Sequence, residues 1–241
     1  MKIKHFGTLG LIAMAIATSG CKSTDIQRIV DEVNALQAQP LDEKTVIEGL
    51  KKALSVGIGN TIKSTFKPGG FSNNALIKIE VPEALSKVTK NVERLGFGQY
   101  VSQFEQQMNR AAEQASGESQ QIFLNAIANM SVADGWGILN GGEGAATDYF
   151  RAQTEQQLKQ KFAPIITANM NKVGFYGDYK QLLSTYESIP FVKKPNLDIE
   201  DHIMSESLDG LFLMLKGEEN KIRQNPAART TELLKRVFGK R

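Results

Sequence analysis

From Glu83 to the C-terminus, apolar side chains recur at three- and four-residue intervals, and that spacing restricts the chain to a fold built of helices. Leu85, Val88, Val92 and Leu95 form one stripe, stopped by Gly96. Tyr100, Val101, Phe104, Met108, Ala111, Ala112 and Ala115 form the next, and Ile122, Phe123, Ile127 and Met130 follow. Ser131 and Asp134 have capping-box spacing ahead of a short helix with Trp136, Ile138 and Leu139. The tight loop Asn140-Gly141-Gly142-Glu143-Gly144 leads into a helix over about 145–162, with shorter helices over 164–173 and 177–187. Pro190 and Pro195 bracket a loop, and a long helix spans about 198–222. Asn225, with Pro226 behind it, opens a last helix packed by Leu233, Leu234, Val237 and Phe238.

The residues before Glu83 are less uniform. Thr24 and Gln27 form a capping box ahead of Ile26, Ile29, Val30, Val33 and Leu36, and residues 37–41, with Pro40, break that helix. Val46, Ile47, Leu50, Ala53 and Leu54 mark a second one, punctuated by Gly57, Gly59 and Pro68-Gly69-Gly70. Ala75 to Val81 alternates instead, with Ile77, Ile79 and Val81 on one side and Lys78 and Glu80 on the other, until Pro82. A single short strand has no sheet to join. The expected fold is therefore all-α, an irregular bundle of about eight to ten helices. The helix over 198–222 is central, and at most one extended segment or small hairpin lies near 75–81.

The N-terminus reads as an export signal. Lys2, Lys4 and His5 precede an apolar run, Leu9 to Ala17, too short for the roughly 20 residues of a membrane-spanning helix. Small residues then lead to Gly20-Cys21, and Cys21 is the only cysteine. This resembles the signal of a bacterial lipoprotein, although Thr18 stands where that pattern usually has a large aliphatic residue. The resemblance implies that Cys21 is lipidated and becomes the mature N-terminus. Lys22, in a position where Asp would imply inner-membrane retention, implies the outer membrane. The expected organisation is a signal peptide over 1–20, a lipid-tethered helix over 21–40 and one helical domain over 41–241. The expected location is the periplasmic side of the envelope.

Loss of Lys2 and Lys4 leaves 27 basic against 26 acidic side chains, a net charge of +1. With no recognition motif either, nothing favours nucleic acid. A lipidated Cys21 also removes the only thiol, which excludes a cysteine nucleophile, a thiolate metal site, a disulfide and redox chemistry. His202 is then the only histidine left, and it reads as partly exposed and unliganded. No metal or cofactor is expected. The charge is unevenly spread. Residues 221–241 carry seven basic side chains and Glu232, a net of +6, which suits helix C-terminal charge complementation or contact with anionic lipid or lipopolysaccharide. No protein partner can be named.

Several polar residues need an explanation. Asn109 and Glu113 share a helix face beside the buried stripe, and Arg110 can pair with Glu113 at i,i+3. The pair reads as a docking contact, or Glu113 as the acid or base of a polar pocket. Asp134 fits the N3 position of its capping box. Thr147 and Asp148 sit in the first turn after the glycine loop, where a carboxylate favours the helix dipole. That loop reads as a turn: it lacks G-K-[ST], and Glu143 and Asp148 would repel a phosphate. Asp209 lies among Leu208, Leu211 and Phe212, with Gly210 and Gly217 seven apart for close helix approach. It is expected to be part-buried and paired with Arg110, Arg223 or Arg229. Glu219 and Arg223 read as an ordinary i,i+4 pair. Arg229, in a first helical turn, needs an acid from elsewhere.

Three segments together resemble the bacterial domain-of-unknown-function 4197 family. They are Met108-Asn109-Arg110-Ala111-Ala112-Glu113, Ala133-Asp134 through Thr147-Asp148-Tyr149-Phe150, and Leu208-Asp209-Gly210-Leu211-Phe212 through Arg223 to Asn225-Pro226. The resemblance runs from about Leu41 to Phe238. It implies an exported helical domain, often a lipoprotein, and supplies no catalytic residues. The expected function is a non-catalytic binding or scaffolding lipoprotein of the outer membrane's periplasmic face. The alternative is a carboxylate- or metal-assisted hydrolase of an envelope substrate using Glu113, Asp134, Asp148 or Asp209. Convergence of those acids in one cleft would favour the enzyme, and pairing of each with arginine would favour architecture.

Overall fold

The chain divides into two compact units, Met1–Leu41 and Asp42–Arg241. The computed structural model describes residues 42–85, 89, 90, 93–172, 174, 176, 177 and 198–224, all in the second unit. Expectations for Cys21, the helix after Thr24, residues 178–197, Asn225, Arg229 and the last helix lie outside the described residues.

Among the described residues five α-helices form the bundle: α1 Glu43–Thr65, α2 Gly98–Asn129, α3 Val132–Asn140, α4 Ala145–Met170 and α5 Ile199–Gln224. A 3-10 turn, Glu83–Leu85, and a π turn, Glu93–Phe97, precede α2, and no strand forms among the described residues. The fold is all-α. Asp42 starts α1 by accepting hydrogen bonds from the Thr45 N–H at 2.7 Å and the Thr45 hydroxyl at 2.9 Å. A side-chain cap of this kind stabilises a helix by about 1 kcal/mol. Gly57 and Gly59 lie inside α1 and do not interrupt it. The two stripes between Tyr100 and Met130 belong to one helix of 32 residues. Likewise α4 runs through Pro164, joining what the pattern divides at residue 163. Proline there loses the bond to the Gln160 carbonyl and crowds it with its ring, and both residues face solvent, where water can bond the displaced carbonyl. Leu95 is 72 % exposed and does not pack as its stripe suggests.

Helix α5 packs against α1, α2 and α4, and α2 packs against α1 and α4. Three of these helices meet at Phe123. Its ring stands edge-on to Phe150 of α4 at 5.6 Å and to Phe212 of α5 at 5.9 Å. All three rings are buried. Small buried residues of α2, Ala111, Ala112, Ala115, Ser116 and Ser119, keep its neighbours close. Helix α3 turns 105° away from α2. It packs on α1 where Gly135 faces Ile47, and a β-carbon at Gly135 would lie 2.4 Å from the Ile47 Cδ1.

Residues 66–82 form a long irregular loop laid over α2 and α5. Gly69, at φ +81°, turns the chain at the end of α1. Gly70 then passes so close to α1 that a β-carbon would lie 2.2 Å from the Thr65 carbonyl oxygen. The alternation near 75–81 is visible in burial: Ile77 and Ile79 are buried, Lys78 and Glu80 exposed. The segment pairs with helices, not with a second strand.

Candidate functional site

Two buried carboxylates organise the polar interior. The first is Glu219 of α5, 5 % exposed. Helix α4 begins at Gly144, whose backbone is left-handed and which has no side chain to cap the helix. The first N–H groups of any helix lack an internal partner. Glu219 supplies one: its carboxylate accepts from the Ala146 N–H at 3.1 Å, the Thr147 N–H at 3.0 Å and the Thr147 hydroxyl at 2.9 Å. The negative charge also suits the positive end of α4. Arg223, one turn later, donates from Nε to Glu219 at 2.8 Å and from Nη2 to the Ile138 carbonyl at 2.7 Å. A third, longer bond reaches the Gly141 carbonyl at 3.4 Å. The pair therefore closes the end of α3 and the start of α4 together, fixing the glycine loop between them.

The second carboxylate is Glu113 of α2, 7 % exposed. Its Oε1 accepts from the Phe71 N–H at 3.2 Å and from the Ser72 N–H and hydroxyl at 3.4 Å each. One turn earlier, Asn109 grips Ile79 from both sides of its backbone. Its Oδ1 accepts from the Ile79 N–H at 2.9 Å and its Nδ2 donates to the Ile79 carbonyl at 2.8 Å. Asn109 and Glu113 thus hold the 66–82 loop against α2. His202 of α5 adds a third hold, its Nε2–H donating to the Glu80 carbonyl at 2.9 Å.

The other expected site residues lie apart from these. Arg110 is exposed and makes no ion pair with Glu113, whose carboxylate is bonded to the loop backbone instead. Asp134 sits in its capping box, accepting from the Ser131 N–H at 3.0 Å and hydroxyl at 2.6 Å, while Ser131 accepts from the Asp134 N–H at 3.1 Å. The Ser131 hydroxyl and N–H hold the Asp134 carboxyl below the usual carboxylate range. Burial and the nearby Asp134 charge push the Tyr149 hydroxyl up. Asp148 is exposed in the first turn of α4.

Asp209 is not part-buried, and its partner among the described residues is neither Arg110 nor Arg223, Arg229 lying outside them. Its side chain is 65 % exposed and pairs with Arg151 of α4 at 2.8 Å. Arg151 also lies 4.4 Å over the Phe212 ring. Gly210 and Gly217 do not form a helix contact. Gly210 faces Phe71 and Ile77 of the loop, and Gly217 faces open space.

Sequence reasoning passed over Glu219 as an ordinary pair. The available signal was its register: Leu215, Glu219 and Ile222 share one face of α5, so the charge falls in an apolar stripe. Arg151 carried no signal of its own, since pairing with Asp209 depends on how α4 meets α5.

A shallow cleft opens beside Glu113. It has a volume of about 200 Å³ and is lined by Phe66, Lys67, Pro68, Arg110, Glu113 and Gln114. A wider, open depression of about 410 Å³ lies around Lys78, Glu80, Pro82 and His202. No group of three or more His, Cys, Asp or Glu able to hold a metal ion occurs among the described residues. No single helix among them is long and apolar enough to cross a membrane. The family model described as "Protein of unknown function (DUF4197)" matches residues 40–239. No curated protein and no solved structure matches the chain.

Proposed function

The chain belongs to this family of unknown function, and on that premise we propose that it is a lipid-anchored envelope protein whose helical domain binds or scaffolds and does not catalyse. One observation carries the choice between binding and catalysis. Of the acids that a hydrolase would use, Asp148 is exposed in the first turn of α4 and the other three are bound to different elements. Glu113 holds the 71–72 backbone, Asp134 its own helix cap, and Asp209 an arginine of α4. Glu219 is in turn committed to the start of α4. Carboxylates fixed in this way lack the shared cleft that paired acid–base chemistry requires.

The anchor rests on the short apolar run, the small residues after it and Cys21. The periplasmic face of the outer membrane is the location that Lys22 favours by resemblance. The +6 charge of residues 221–241 suits contact with anionic headgroups or lipopolysaccharide, a surface attraction that salt screens. The test is membrane fractionation with an alkyne-palmitate label. The wild-type chain is expected in the membrane fraction and labelled, and Cys21→Ser unlabelled and released. Retention of Cys21→Ser on the membrane would refute the lipid anchor.

A further inference from the structure

We propose that the cleft beside Glu113 binds an apolar α-amino acid, its ammonium on Glu113 and its carboxylate on Arg110 and Lys67. The cleft is a built feature of α2. Arg110, Glu113, Gln114 and Gly117 stand at i, i+3, i+4 and i+7, one face of the helix. The corner Phe66-Lys67-Pro68 at the end of α1 closes over that face. The Phe66 ring lies on Gly117: a β-carbon there would meet ring atoms at 2.8 to 3.0 Å. The ring is nevertheless 56 % exposed, an aromatic surface held in place without being buried.

Glu113 supplies the observation that points to a ligand. It is 7 % exposed. The three bonds it accepts, at 3.2 to 3.4 Å, all fall on Oε1 and lie at or beyond the long end of the usual range. Its Oε2 accepts no hydrogen bond among the described residues. That oxygen is not one of the fully buried side-chain atoms left without a partner, so it is reachable from the cleft, where a ligand ammonium can form a charge-assisted hydrogen bond to it. Arg110 and Lys67 are exposed cations with no ion pair among the described residues. One acceptor carboxylate beside two cations complements a molecule carrying an ammonium and a carboxylate on the same carbon. A volume of about 200 Å³ is below the roughly 300 Å³ at which pockets for drug-sized ligands begin. It suits a single amino acid, with Phe66 and Pro68 as the wall for its side chain.

This inference deepens the binding reading by giving it a ligand class, and it does not depend on the lipid. The test is calorimetric titration of the full lipidated chain in detergent with L-leucine, N-acetyl-L-leucine and isoamylamine. L-Leucine is expected to bind saturably. Removing either charge, as the other two compounds do, is expected to weaken binding at least tenfold. Arg110→Ala should weaken L-leucine at least tenfold and leave isoamylamine unchanged. Gly117→Ala, which displaces the Phe66 ring and keeps all charges, should weaken L-leucine as well. Absence of saturable binding by L-leucine, equal binding of N-acetyl-L-leucine, or indifference to Arg110→Ala would each overturn the proposal. Circular dichroism of each variant checks that the helices persist. If the titration fails while the palmitate label and membrane retention hold, the ligand falls and the anchor stands.

Discussion

Glu219 and Thr147, 72 residues apart in sequence, share two hydrogen bonds, from the Thr147 N–H at 3.0 Å and from its hydroxyl at 2.9 Å. A side chain of α5 thus does for α4 what an N-cap residue normally does locally. Removing it leaves Arg223, part-buried beside carbonyls, without its counter-charge and the Ala146 and Thr147 N–H groups unpaired. Breaking a buried pair from one side costs about 3–5 kcal/mol. For a domain of this size Glu219→Ala should lower Tm by about 6–20 °C, at about 2–4 °C per kcal/mol. Arg223→Ala should be comparably damaging, and the double variant should lose less than the two single losses together, as read by thermal unfolding.

Asn109 should be the main lock on the 66–82 loop. Ile79 is fully buried, so truncating Asn109 to alanine leaves both its N–H and its carbonyl without a partner. With about 1–3 kcal/mol for each unsatisfied group, a loss of about 2–6 kcal/mol is expected. Hydrogen exchange distinguishes local from global loosening. The Ile79 amide should exchange at least tenfold faster in Asn109→Ala, while Phe123 in the core changes little relative to it.

Much of this was legible beforehand, and what was not has a common cause. The helical register of Phe104, Met108, Phe123 and Phe212 follows from apolar spacing, a local property, and all four are buried. The Ser131–Asp134 box is likewise local, and it forms. Asp209, Glu113 and Glu219 have partners 41 or more residues away, and spacing along the chain says nothing of those. Asp209 looked buried because Leu208 and Gly210 are. One step of about 100° around the helix carries it out to solvent.

That correction changes what Asp209→Asn should do. A pair in which the acid is 65 % exposed contributes at most about 1 kcal/mol, so Tm should fall by no more than about 4 °C. Arg151→Ala should cost more than Asp209→Asn, because it also removes the guanidinium stacked on Phe212. Equal losses in the two variants would show that the stacking contributes nothing.

Two glycines give opposite expectations for the same substitution. Gly59 lies exposed in α1 with open space where a β-carbon would go. Gly59→Ala should stabilise by about 0.5–1 kcal/mol through helix propensity and lost unfolded-state freedom. At Gly70 the β-carbon would meet backbone, not a movable side chain, 2.2 Å from the Thr65 oxygen. Gly70→Ala should therefore destabilise at or above the roughly 1–3 kcal/mol typical of overpacking. Urea midpoints of the two variants should move in opposite directions.

The Asp134 cap should make part of the stability depend on pH in a predictable direction. The Ser131 hydroxyl and N–H lower the Asp134 pKa from an ordinary value of 3.8. A depressed carboxyl pKa means that the folded state binds the proton less readily than the unfolded chain. The contribution is therefore fully present above pH 3.8 and is lost as pH falls through the lower folded value. Asp134→Ala removes the group that titrates. Its Tm deficit relative to wild type should be constant near neutral pH and shrink below pH 3.8 as protonation weakens the wild-type cap. Because Glu155 is also held low by Lys159, the comparison must be between the two proteins at each pH, so that losses common to both cancel. A deficit that stays constant down to the acid transition would mean that the Ser131–Asp134 bonds do not favour the ionised carboxylate.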